Sequence, residues 1–206
     1  MTKFIHTIRH TLQKGSIRMP LLWIVLSVGM LGQSESSESA RENKIQKIKI
    51  AYMVNFIRFT VWPESHLPND DSTLVISMID NSGFAQKIQG SLSKAKINQH
   101  PIQLHIIDEL KITDGQIHEE QKNKLLASHV IYYRNAHKSD IEFLTGLQDQ
   151  PQFLLLGDMK DFAEHGGMIG FKESSSKVGF YVNINAIRQS KIQISSKVLR
   201  LGTTVR

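Results

Sequence analysis

The 206-residue chain contains no cysteine. That absence excludes thiol catalysis, thiolate metal sites, disulfide bonds and lipid attachment through a cysteine. The standard catalytic motifs are missing as well. There is no G-x-S-x-G elbow, no Walker-type G-x-x-x-x-G-K-[ST] loop and no H-E-x-x-H helix. Gly166, Gly167 and Gly170 stand before and inside a predicted strand, not between a strand and a helix N-terminus. They read as turn and strand glycines rather than as a phosphate cradle.

A full membrane-spanning run is also lacking. Met19–Gly32, MPLLWIVLSVGMLG, is apolar apart from Pro20 and Ser27, and is shorter than the roughly 20 residues a spanning helix needs. It follows a stretch with Lys3, Arg9, Lys14 and Arg18 and no acidic residue, and it ends near the small residues Gly32 and Ser34. Basic, then apolar, then small is the layout of a secretory signal over residues 1–34, cleaved near 32–34. An uncleaved N-terminal anchor is the alternative reading of the same segment. Loss of its four basic residues lowers the formal net charge from +6 to +2, so the sequence pI near 9.5 belongs largely to the signal. What remains holds no basic block suited to a phosphate backbone, and nucleic acid drops out as a partner.

The rest of the chain is patterned. Residues 35–43 are polar and Ser/Glu-rich and predict a flexible leader to a single domain over 44–206. From Lys44 to Trp62, Ile45, Ile48, Tyr52, Phe56 and Phe59 recur at helical spacing, and Trp62-Pro63 closes the helix. Beyond the loop at 63–72 the chain alternates. Strands are predicted at Leu74–Ile79, Ile102–Ile107, His129–Tyr133 and Phe153–Leu156, with helices at Gly83–Ala95, within Gln116–Ala127 and at Asp140–Gln148. LVISMI, VIYY and FLLL are apolar without strict alternation, as in strands covered on both faces. Strands separated by helices predict a single three-layer α/β domain whose mixed, mostly parallel sheet is flanked by helices. After a helical turn at Asp161–His165, MIGF and VGFYVNI are joined by the short polar turn ESSSK and predict a C-terminal antiparallel hairpin. A helical turn at Asn185–Ser190 follows, and the tail from Ile192 to Val205 suits a strand, a short helix or both.

Few residues gather into a site. Seven histidines follow the leader, at 66, 100, 105, 118, 129, 137 and 165, and none pairs with another at i, i+2 or i, i+4, so no metal site is assigned. Asp158 and Asp161 lie near the end of the fourth strand, where open α/β sheets bind ligands. With Glu164 and His165 they suit an acid/base group; capping of the short helix that follows is the simpler role. The aromatic stripe of the first helix reads as core, with a partner groove or pocket wall as the sharper alternative. Asn55 and Arg58 are its polar candidates for partner or ligand binding.

Three segments then carry a resemblance. Ala51–Pro63, AYMVNFIRFTVWP, resembles the A-Y-L-x-N-F-x-x-F-x-x-W-P helix that opens YfiR-like domains. LLLGDMKDFAEHGGMIGF, VGFYVNI and IQISSKVLRLGTTV are similar to that family's G-D-x-x-x-F-x-x-x-G-G-M-I-N-F stretch, V-x-F-x-I-N strand and closing L-x-[IL]-S-S-x-L-L-x-L-A. The match runs from about residue 48 to the C-terminus. Gly170 stands where the family usually has Asn, Tyr181 where it often has Glu, and Gly202 where it has Ala; Asn183 is kept and joins the binding candidates. The family's disulfides cannot form in this chain. The resemblance implies a periplasmic regulator without catalytic residues, metal or cofactor. Its implied partner is a membrane-bound diguanylate cyclase, or another inner-membrane sensor, bound at the periplasmic domain, so that release raises cyclic-di-GMP. A periplasmic small-molecule binding protein serving a transporter or sensor kinase is the alternative, and a hydrolase using the Asp158–His165 region a third reading. A small ligand and a second copy of the chain stay open as partners.

Overall fold

The computed structural model describes residues 19–67, 71–174 and 177–205, with side chains from Glu38 onward. The basic stretch at the head of the expected signal lies outside the described residues. The chain divides into two units between Gln46 and Lys47. Helix α1 spans Met19–Arg58 and so takes in residues 35–43, where the sequence predicts a flexible leader. No proline or glycine interrupts the chain between Gln33 and Arg58, so the helical ladder has no local reason to stop there.

The helix ends four residues earlier than its apolar spacing suggests. Phe59 donates its N–H to the carbonyls of Asn55 and Phe56, and the Thr60 hydroxyl donates to Phe56 O at 2.7 Å. Thr60–Val61 then forms strand β1. A β-branched pair followed by Trp62-Pro63 favours extended backbone. The consequence is that Phe59 leaves the predicted core stripe and is 48% exposed.

The second unit is built on an eight-stranded sheet. In chain order its parts are β2 (Leu74–Ile79), α2 (Phe84–Leu92), β3 (Lys96–Ile97), β4 (His100–Ile107), a small hairpin of β5 (Ile112–Thr113) and β6 (Gln116–Ile117), α3 (Glu119–Leu126), β7 (Val130–Tyr133), α4 (Lys138–Thr145) and β8 (Leu154–Gly157). Then come β9 (Ile169–Ser174), β10 (Lys177–Asn183), α5 (Ile184–Gln189), β11 (Gln193–Ile194), α6 (Ser196–Leu199) and β12 (Thr203–Val205). Across the large sheet the order is β12-β10-β9-β8-β7-β2-β4-β3. All neighbours are parallel except β9 with β10 and β3 with β4. The expected mixed sheet and C-terminal hairpin are thus observed. The tail supplies both a helix and a strand, and β11 pairs with β1 in a separate two-stranded sheet.

The connections fix the faces. The β2–α2–β4 step moves one way, whereas β4–α3–β7 and β7–α4–β8 move the other. Right-handed crossovers therefore put α2 on one face and α3 and α4 on the opposite one. The order reverses between β2 and β7, which makes their carboxyl ends the topological switch point. With period-two alternation, Leu74, Ile76 and Met78 share a face with Tyr132, Leu156, Ile169, Phe171, Phe180 and Val182. The last turns of α1 cover that face. Tyr52 and Phe56 meet Phe171 and Phe180 with ring centroids 4.9–6.4 Å apart, and Phe56 is 1% exposed.

Candidate functional site

The alternation that fills the core continues past the strand ends. Met78 is opposite Tyr132, and Tyr132 is opposite Leu156. Two residues further along, Asp80, Arg134 and Asp158 must therefore stand in one row on the same face, at the carboxyl ends of β2, β7 and β8. The row is minus, plus, minus. Arg134 Nη1 donates to Asp80 Oδ1 at 3.0 Å, and its Nε lies 3.7 Å from Asp158 Oδ2, an electrostatic contact rather than a hydrogen bond. Their side chains are 3%, 0% and 4% exposed, so the row is inside the protein.

Each charge is held by the elements around it. Asp80 also accepts from the Ser82 hydroxyl at 2.6 Å, from Ser82 N at 3.1 Å and from Ala85 N at 2.8 Å, which ties it to the start of α2. Burial opposes the charge of Asp80, but the hydrogen bonds from Ser82 and Ala85 and the Arg134 guanidinium outweigh it and hold the carboxyl below its usual range. The Phe84 ring lies 4.7 Å from the guanidinium carbon, a cation–π contact. On the other flank α1 contributes Lys49, one turn before Tyr52. Its Nζ reaches Asp158 Oδ2 at 2.9 Å and Glu173 Oε1 at 2.6 Å. Glu173 follows Phe171 by two residues on β9 and so shares its face. Asp158 Oδ1 accepts from Asn135 N at 2.8 Å, and the Tyr132 hydroxyl donates to Oδ2 at 3.4 Å. Burial, then the charge of Asp158, raises the Tyr132 phenol well above its ordinary range.

Chemically the row is a network of paired charges in which Arg134 Nε alone of its buried polar atoms lacks a hydrogen-bond partner. Doubly wound sheets take ligands in the crevice at the switch point, and here the two strand ends that flank it carry Asp80 and Arg134, buried and paired with each other. Asp158 is committed to Lys49 and Asn135. Asp161 takes up a left-handed backbone with φ 62°, and its carbonyl accepts from Glu164 N and His165 N to close a turn. The capping role considered for these aspartates thus goes to the Asp161 main chain rather than to a side chain. Among the described residues no group of three or more His, Asp or Glu is placed to hold a metal ion.

The binding candidates separate into two kinds. Asn55 and Arg58 are exposed at the end of α1. With Phe59 they follow i, i+3, i+4 spacing, which lines them on one face of the helix end. Val61, 64% exposed, comes just after. Asn183 is instead turned inward. Its Nδ2 donates to Ala163 O at 2.8 Å, and its Oδ1 accepts from Ala186 N at 2.9 Å, so it joins the hairpin to the 158–167 turn and caps α5. Sequence reasoning passed over Lys49, Asp80, Arg134 and Glu173. The signal available was an ionisable residue just after each of three apolar strand runs, in ID, YR and LGD.

A mixed α/β domain with a doubly wound centre and paired charges at the switch point is thereby defined. The chain belongs to the YfiR/HmsC-like family, whose model matches residues 46–203. Among solved structures it is similar to a conserved domain protein from Vibrio cholerae O1 biovar El Tor str. N16961. That likeness has 18% identity and a TM-score of 0.44, and covers 69% of this chain and 57% of that one. The chain therefore spans little more than half the length of that protein. No curated protein matches. Among the described residues no helix is long and apolar enough to cross a membrane.

Proposed function

We propose that the chain is a periplasmic, non-catalytic regulator that binds the periplasmic domain of a membrane-bound diguanylate cyclase and restrains it. The observation that carries this reading is the family match over residues 46–203, nearly the whole of the unit from Lys47 to Arg206. Two features of the molecule support it. The charges at the switch-point strand ends are buried and paired with one another. The end of α1, in contrast, presents Phe59 and Val61 to solvent beside Asn55 and Arg58, and apolar anchors rimmed by polar groups suit a protein interface. Export rests on the basic-then-apolar layout of residues 1–34.

The small-molecule carrier has less to stand on. Among the described residues, a cavity of about 80 Å³ beside Phe153, Leu155 and Met168 is itself well below the roughly 300–1,000 Å³ of ligand pockets. The mechanism is population shift: the protein binds the inactive cyclase state more tightly and holds it there. Deleting the gene is expected to raise cellular cyclic-di-GMP, and returning the full chain to lower it. The double variant Arg58→Glu/Phe59→Ser is expected to melt normally yet fail to lower it. Unchanged cyclic-di-GMP in the deletion strain, with the cyclase expressed, sinks the reading.

A further inference from the structure

We propose that His129 is an acid-operated latch that holds residues 62–67 against the amino ends of the central strands. His129 is 4% exposed and stands just before β7. Its Nδ1 lies 2.9 Å from Val75 N, so Nδ1 accepts and carries no proton. Its Nε2 lies 3.1 Å from His66 O, so Nε2 is the protonated nitrogen. The closed arrangement therefore requires a neutral ring of one tautomer. The same residue holds the segment twice more. Trp62 Nε1 donates to His129 O at 3.1 Å, with the indole edge-on to the imidazole at 6.0 Å. His66, its ring 4.5 Å from that of His129, donates from Nε2 to Ser128 O at 3.1 Å.

A second proton on His129 can go only to Nδ1. There it would place N–H against N–H of Val75 in a buried site, and the closed contact would break. Burial opposes the charge first. His66 on the segment and His100 on β4, which donates from Nδ1 to Ser72 O at 2.9 Å, add repulsion when they are protonated. Val75 of β2, Ser128 and Leu154 of β8, which touch His129 directly, carry no charge; Lys124 of α3 is paired with Glu120 at 2.7 Å. Together these effects push the imidazole of the closed state down to about 4. In the released segment the ring has the ordinary value near 6.5. The neutral ring favours closure, so the latch is at full strength above about pH 6.5. It weakens as pH falls toward 4, where the opening constant has risen roughly 160-fold.

Hydrogen exchange of the full chain at pH 7 and pH 4.5, corrected for intrinsic rates, tests the latch. In the wild type, the His66 and Leu67 amides, which donate to Pro63 O, are expected to lose roughly 60-fold in protection at pH 4.5, while Ile76–Ile79 and Leu154–Gly157 keep theirs. His129→Gln presents an amide oxygen to Val75 N and an amide N–H to His66 O without titrating, so its protection is expected not to change with pH. His66→Gln is expected to keep the response. A wild-type segment indifferent to pH overturns the proposal, as does a His129→Gln variant with the full acid response. Direct NMR titration of wild-type His129 needs no variant to fold, and a midpoint near 6.5 in the folded protein would also overturn it.

Discussion

Lys49 Nζ lies 2.9 Å from Asp158 Oδ2, linking a helix to a strand end 109 residues away, with both side chains buried. Removing one partner leaves the other's buried charge with weaker compensation, Asp158 keeping the Asn135 N–H and the Arg134 guanidinium at 3.7 Å, and the loss approaches the roughly 3–5 kcal/mol of a broken buried pair. Lys49→Met is therefore expected to lower the melting temperature by roughly 10 °C or more. Asp158→Asn added to Lys49→Met should cost much less than it does alone, because the orphaned charge is gone. Thermal melts of the double-mutant cycle measure the coupling, and strictly additive losses would show that the pair does not act as a unit.

Phe56 is 1% exposed and packs edge-on to Phe180 at 4.9 Å and tilted to Phe171 at 6.2 Å. Phe56→Ala is expected to destabilise the protein by about 3–5 kcal/mol through lost burial and the cavity left behind. Phe59→Ala, three residues on, is expected to change stability by no more than about 0.5 kcal/mol, since that ring faces solvent. Equal losses at the two positions in chemical denaturation would contradict the outward turn at the end of α1.

The Phe162 ring lies against two glycines. A Cβ on Gly167 would stand 2.1 Å from the ring, and one on Gly157 would stand 2.3 Å from it. Gly167→Ala is expected to cost about 1–3 kcal/mol, as overpacking does. In a Phe162→Ala background the same substitution should cost far less. Urea midpoints of the four proteins test this, and an undiminished cost in that background would place the requirement for glycine in the backbone rather than in the ring.

Much of this architecture was legible locally. The apolar runs at 74–79, 130–133 and 154–156 had to be strands covered on both faces, and the turn between MIGF and VGFYVNI had to make a hairpin. The β5–β6 hairpin was legible too, though the alternation of strands and helices passed over it. Asp114 and Gly115, both at positive φ, form the Asp-Gly turn that suits two-residue hairpins. Asn98 and Gln99 adopt the same conformation between β3 and β4, but without a glycine the sequence carries a much weaker signal.

The charge row was not legible, for a physical reason. Periods of 2 and 3.6 residues are local and state which side chains share a face. They do not state which strands become neighbours, in what register, or which helix covers them. Asp80, Arg134 and Asp158 are far apart in the chain; the first two carry no local signal beyond a charge after an apolar run, and Asp158 reads locally with Asp161 rather than with them. Only the β2–β7–β8 register brings them level, and only the placement of α1 on that face buries Lys49 beside them. Likewise Asn55 and Asn183 are chemically alike in sequence. Tertiary structure leaves the first in solvent and spends both ends of the second's amide on Ala163 and Ala186. The sequence by itself determined the central strands, the C-terminal hairpin and the family; long-range pairing alone decided which charges are buried and which polar side chains are left in solvent.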